Sequence, residues 1–140
     1  MKNILILCTG NSCRSQMAQG YLQHFAGNDA TVYSAGVEVH GVNPLAVETM
    51  KEDGIDISFH TSNHVDQYAE IPFDYVITVC DNAKEQCPYF PTRAEKFHHN
   101  FPDPAKATGS PGEINAEFRR VREMIKEFCR SFMKDHLDAV

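Results

Sequence analysis

The chain has 140 residues and a net charge of −6, enough for one domain with its own core and without the basic stripe that nucleic-acid binding requires. Its five cysteines contain no C-x-x-C pair, and an odd count does not describe a disulfide framework. The seven scattered histidines give no zinc spacing, so no metal site is expected.

The first apolar run, Asn3 to Leu7, reads as a strand buried on both faces. A helix follows from about Ser12 to Phe25, with Gly27 as its stop. Thr31 to Ala35 is a second strand. Asn43-Pro44 then has the form of an N-cap with proline at the first helical position, opening a helix that ends near Gly54. Residues 55–71 read as loop with one short helix. Asp74 to Cys80 is a third strand, Asp81 to Cys87 a short helix closed by Pro88 and Pro91, and Ala94 to His98 a fourth strand. Ser110-Pro111-Gly112-Glu113 is a capping box for the last helix, whose Ile114, Phe118, Val121, Ile125, Phe128 and Phe132 keep one apolar stripe. Alternating strands and helices predict one α/β domain over residues 1–140, a parallel sheet flanked by helices. Nothing predicts a membrane segment. The run after Met1-Lys2 is too short for a secretion signal, so the expected setting is cytoplasmic and the expected state a monomer.

The chemistry is concentrated between the first strand and first helix. Successive N–H groups in a tight turn make an anion nest, and a helix start adds its dipole. The loop Cys8, Thr9, Gly10, Asn11, Ser12, Cys13, Arg14 is therefore read as an oxyanion-binding loop. Gly10 permits close backbone approach, and Asn11 tolerates a left-handed conformation. Arg14 offers a planar fork matched to two oxygens of phosphate or arsenate. The same positive field favours the thiolate of Cys8, to which Ser15 can donate, so one loop binds an anion and presents a nucleophile. Cys8 alone would read as a small residue at a strand end; the glycine, arginine and serine at these spacings outweigh that. Cys80 ends the third strand, so it shares the sheet end with Cys8 if the two strands are neighbours. Cys13 and Cys129 read as structural.

Cys8-x5-Arg14-Ser15 near the start, with Asp103-Pro104 late in the chain, resembles the low-molecular-weight tyrosine phosphatase family. The longer match from Cys8 to Ala18 is similar to the thioredoxin-coupled arsenate reductases built on that fold. Tyr33-Ser34-Ala35-Gly36, His40 to Pro44, Gly54 to Ser58 and Phe118 to Arg122 extend the likeness over nearly the whole chain. The resemblance implies three layers around a four-stranded parallel sheet, with the flavodoxin-like strand order 2-1-3-4. It also implies Cys8 as nucleophile and Asp103 as general acid, then a Cys8–Cys80 disulfide that releases arsenite. A final Cys80–Cys87 disulfide would be reduced by thioredoxin, with no tightly bound cofactor. Some members hold potassium, at positions matching Asn11, Gln19, Ser34 and Asn63. Two family acids are amides here, Gln19 and Asn63, which weighs against that cation. Pro102 replaces the family acid before Asp103. Ala105 stands where phosphatases of the family carry an aromatic wall, which favours a small inorganic oxyanion.

If the Cys80–Cys87 segment is helical when reduced, its ends are about 10 Å apart at 1.5 Å per residue, beyond the roughly 7 Å a disulfide allows. Oxidation would then unwind it. The leading expectation is an arsenate reductase with weak phosphatase activity. A tyrosine or small-phosphoester phosphatase using Cys8, Arg14 and Asp103 is the alternative, followed by a thiol redox sensor, in which Asp103 would have no role.

Overall fold

The computed structural model of the protein describes residues 1–80 and 93–137. The short helix expected over Asp81–Cys87, its closing prolines and Cys87 itself lie outside these residues. The strands are β1 (Lys2–Cys8), β2 (Ala30–Gly36), β3 (Tyr75–Thr78) and β4 (Glu95–His98). The α-helices are α1 (Arg14–Ala26), α2 (Pro44–Glu52) and α3 (Pro111–Leu137). Short 3-10 turns occupy Val65–Tyr68 and Pro104–Lys106.

All ladders are parallel, in the order β2-β1-β3-β4. Ile4, Leu5, Ile6 and Leu7 of β1 are all fully buried, as a central parallel strand requires. Ile4 and Ile6 face a core built with Met17, Tyr21 and Leu22 of α1, Met50 of α2, and Phe118, Val121, Ile125 and Phe132 of α3. Leu5 and Leu7 face the opposite side, against Val65, Phe73 and Val76. Burial of this many aliphatic and aromatic side chains, at about 1.5–3 kcal/mol each, is the main favourable term of the fold.

The helix starts follow local chemistry. Asn43 accepts a hydrogen bond from the Leu45 amide at 2.8 Å, with Pro44 next to it. The capping box of α3 closes both ways: Glu113 N donates to Ser110 Oγ (3.2 Å), and Ser110 N to Glu113 Oε1 (3.1 Å). Two boundaries differ from expectation. The third strand is shorter than Asp74 to Cys80, because its ladders with both neighbours stop at Thr78, which lies opposite Leu7 of β1 and His98 of β4. The first helix begins at Arg14 rather than Ser12, because residues 11–13 are used in the loop, where Asn11 has φ +49°. No described helix is long and apolar enough to cross a membrane.

Candidate active site

The parallel order leaves the carboxyl ends of β1, β2 and β3 at one edge of the molecule, where ligands collect in such sheets. There the chain between β1 and α1 lines a cavity of about 230 Å³ with Cys8, Thr9, Gly10, Ser12, Cys13 and Arg14. Its mouth is formed by His40, Asp103, Ala105 and Lys106.

Backbone pairing sets which way the amides of the loop face. Its carbonyls are all engaged by other groups. Thr9 O accepts from Glu38 N (3.0 Å), Gly10 O from His40 N (3.1 Å), Ser12 O from Asn43 N (3.0 Å) and Cys13 O from Met17 N (3.0 Å). Asn11 O accepts from Gln16 Nε2 at 3.0 Å. In a trans peptide the N–H points opposite to the preceding carbonyl. The amides of Gly10, Ser12, Cys13 and Arg14, all residues that line the cavity, are thereby turned away from those partners. Helix α1 adds the positive end of its dipole, since its N-cap, Cys13, makes no side-chain cap and no acid occupies its first turn.

Two features hold the unusual turn. Asn11 adopts the left-handed conformation and is fully buried. Its Nδ2 donates to Ser15 Oγ and Ser34 Oγ, both at 2.9 Å, and its Oδ1 accepts from Asn63 N at 2.7 Å. Gly36, at the end of β2, allows the loop to lie against the sheet: a Cβ there would sit 2.4 Å from the Thr9 carbonyl oxygen.

Arg14 is 4% exposed. Its Nη1 donates to Phe101 O at 3.3 Å, and its Nη2 lies 3.7 Å from Asp103 Oδ2. Asp103 caps the following 3-10 turn, its Oδ1 accepting from Ala105 N at 3.0 Å. A cysteine, an arginine and a carboxylic acid from distant parts of the chain thus share one cavity. The two loop cysteines differ in character. Burial, with Asp103 beside it, pushes the Cys13 thiol up to about 12 against the opposing pull of Arg14. Cys13 is therefore held in the thiol form near neutral pH.

Cys80 is fully buried two residues beyond β3. Val79 N donates to Leu7 O at 3.0 Å, so Cys80 follows directly on the strand beside the one that ends in Cys8. Cys80 is in a disulfide, while Cys8, Cys13 and Cys129 are not disulfide-bonded. Cys129 is sealed in the core, and burial raises its pKa.

The residues expected at a potassium site do come together, but as a closed network. Ser34 Oγ donates to Gln19 Oε1 (2.6 Å), Gln19 Nε2 to Val32 O (3.1 Å), and Asn63 Oδ1 accepts from Thr61 Oγ1 (2.8 Å). The set is neutral, and each of its amide oxygens already accepts a hydrogen bond, Asn11 Oδ1 from Asn63 N, Gln19 Oε1 from Ser34 and Asn63 Oδ1 from Thr61, which is a poor fit to a cation. Of the histidines left aside by the sequence reading, His98 Nδ1 lies 2.5 Å from Thr78 Oγ1. His99 stacks between Phe101 and Phe128 at 4.5 and 4.7 Å, and burial, then His98, lowers its pKa. Phe101 and Lys106 were not anticipated. Phe101 acts through its main-chain oxygen, 87 residues from Arg14, which no spacing rule reports.

A family model described as low molecular weight phosphotyrosine protein phosphatase matches residues 3–139. The arsenate reductase of Halalkalibacterium halodurans is 51% identical over 131 residues, 94% of each chain. Among solved structures, an arsenate reductase in its oxidized state superposes with TM-score 0.81 at 30% identity, over 96% of this chain and 98% of that one. A thioredoxin-dependent arsenate reductase of Corynebacterium glutamicum superposes with TM-score 0.67 at 25% identity, over 97% of this chain and 64% of that one.

Proposed function

The chain belongs to the low molecular weight phosphotyrosine protein phosphatase family, and from that premise we propose that it reduces arsenate to arsenite by a relay of three cysteines. The observation that carries the reading is the shared cavity of Cys8, Arg14 and Asp103, with Cys80 two residues past the neighbouring strand at the same sheet end.

The inward amides and the Arg14 fork bind the oxyanion and place its central atom over Cys8. The Cys8 sulfur attacks arsenic. Asp103 gives its proton to the departing oxygen, which leaves as water. The Cys80 thiolate then attacks the Cys8 sulfur. The electron pair of the S–As bond passes to arsenic, which leaves as arsenite, and a Cys8–Cys80 disulfide remains. Attack of Cys87 on Cys80 frees Cys8 as thiolate and leaves Cys80–Cys87, which a thioredoxin-type dithiol reduces. The disulfide state of Cys80, with Cys8 outside any disulfide, agrees with the end of this sequence.

Cys8 and Asp103 can equally cleave a phosphoester, so weak hydrolysis is expected of the same site. Ala105 at the mouth, where an aromatic wall would hold a phenol ring, supports the inorganic substrate. The deciding assay is arsenate-dependent NADPH oxidation with thioredoxin and thioredoxin reductase, for wild type and Cys87→Ser. Turnover that the variant loses is the expected result. Absent turnover, with aryl-phosphate hydrolysis indifferent to Cys87, assigns the chain as a phosphatase instead.

A further inference from the structure

We propose that Lys106 is a specificity-determining residue, a second cation at the cavity mouth that draws a doubly charged oxyanion down to Arg14. The inference rests on the oxyanion-binding reading of the loop, and not on the reduction step.

An incoming arsenate or phosphate carries about two negative charges near neutral pH. It must approach a chain of net charge −6. The floor offers one guanidinium, Arg14, and that charge is shared with the Asp103 carboxylate 3.7 Å away. Among the described residues, two basic side chains stand at the mouth, His40 and Lys106. The first is already matched, with His40 Nε2 3.1 Å from Glu38 Oε2. Lys106 forms no ion pair with any described residue. It is the cation at the mouth whose field remains available to a ligand.

Its placement is also built. Lys106 is the last residue of the Pro104–Lys106 turn. Its amide donates to Asp103 O at 3.2 Å, while Ala105 N donates to Asp103 Oδ1. Proline at the start of the turn fixes φ there. The lysine therefore travels with the acid: whatever brings Asp103 over the bound anion brings Lys106 to the mouth. An exposed ammonium in this position acts by attraction over several ångströms in a solvated setting, so it changes capture and affinity more than the chemical step.

The test uses full-length reduced protein and a neutral alkylating reagent, iodoacetamide, which does not itself feel the lysine charge. Modification of the Cys8 peptide is read by mass spectrometry against increasing inorganic phosphate. At about 10 mM ionic strength, where the Debye length is ~30 Å, Lys106→Gln is expected to raise the half-protecting phosphate concentration about 3–10-fold. Near 1 M salt, where that length is ~3 Å, the two proteins should converge. Lys106→Arg should stay within about twofold of wild type at both. In turnover the same factor should appear in KM for arsenate, with kcat little changed. Equal protection of wild type and Lys106→Gln at low salt overturns the proposal, as does a loss of equal size at both salts, which would mark a contact rather than a field. Because protection requires no reduction, a wild type that fails to turn over arsenate defeats the reductase assignment and leaves this test intact.

Discussion

Replacing Asn11 by alanine probes what keeps the anion loop in shape. The side chain makes three hydrogen bonds, buried ones to Ser15 and Ser34 and a partly buried one with the Asn63 amide. At about 1 kcal/mol net for each, their loss costs about 3 kcal/mol. Alanine at a left-handed position adds about 1 kcal/mol more, so Asn11→Ala should lose about 4 kcal/mol of a total that for such a domain is about 5–15 kcal/mol. Asn11→Gly loses the same hydrogen bonds without the steric penalty, so the glycine variant should be the more stable of the two by up to about 1 kcal/mol. Urea denaturation followed by circular dichroism gives both values. Phosphate protection of Cys8 in the same variants reports the loop directly and should weaken in both. A stability for Asn11→Ala within about 1 kcal/mol of wild type would refute the reasoning, because a buried network of this size cannot be both intact and worthless.

Three further outcomes follow from the site and its supports. Asp103→Asn keeps an acceptor for the Ala105 amide and removes the proton, so kcat for arsenate should fall about 10²–10⁴-fold in steady-state assays while the fold is unchanged. Asp53 is hydrogen-bonded by Lys126 and by Tyr21, which hold its carboxyl below its ordinary 3.8. A depressed folded value stabilises above the unfolded one and is lost as pH falls through it. The stability gap between wild type and Asp53→Asn should therefore be widest near neutral pH and close below 3.8, read by denaturation across that range. Burial holds the Cys13 and Cys129 thiols in the protonated state, so peptide mapping of native, reduced protein should find Cys8 alkylated well before either of them.

The succession of strands and helices, the anion loop and the caps were legible because each is written locally, whereas the strand order came from the family resemblance. An apolar run, a glycine and arginine at fixed spacing, or a proline after asparagine needs no partner elsewhere to be read. The ends of β3 and α1 were not, since each is decided by something outside the segment: where pairing with β1 and β4 stops for one, the left-handed Asn11 for the other. The acid was found only by family resemblance, as Asp103-Pro104 by itself is an ordinary turn. The anchoring of that turn was hidden altogether. It depends on a main-chain oxygen at Phe101 reaching Arg14, and on the ring of Phe101 packing against His99 and Phe128. Main-chain acceptors leave no trace in side-chain periodicity. Lys106 was hidden for a different reason: a lone exposed lysine is the commonest of surface residues, and only its position at the cavity mouth sets it apart.

The outward-turned carbonyls of the loop have one more consequence. A cradle made of main-chain amides counts oxygens and charge, and it is blind to the element at their centre. Phosphate and arsenate should therefore compete for it on nearly equal terms, and no single side-chain change in the cradle can teach it the difference. Discrimination has to come later, at the sulfur, where an arsenic atom accepts an electron pair that a phosphorus atom in the same place refuses. The binding step admits both anions, and chemistry selects between them after entry, so the protein behaves as a kinetic sieve whose working rate is set by how much phosphate surrounds it.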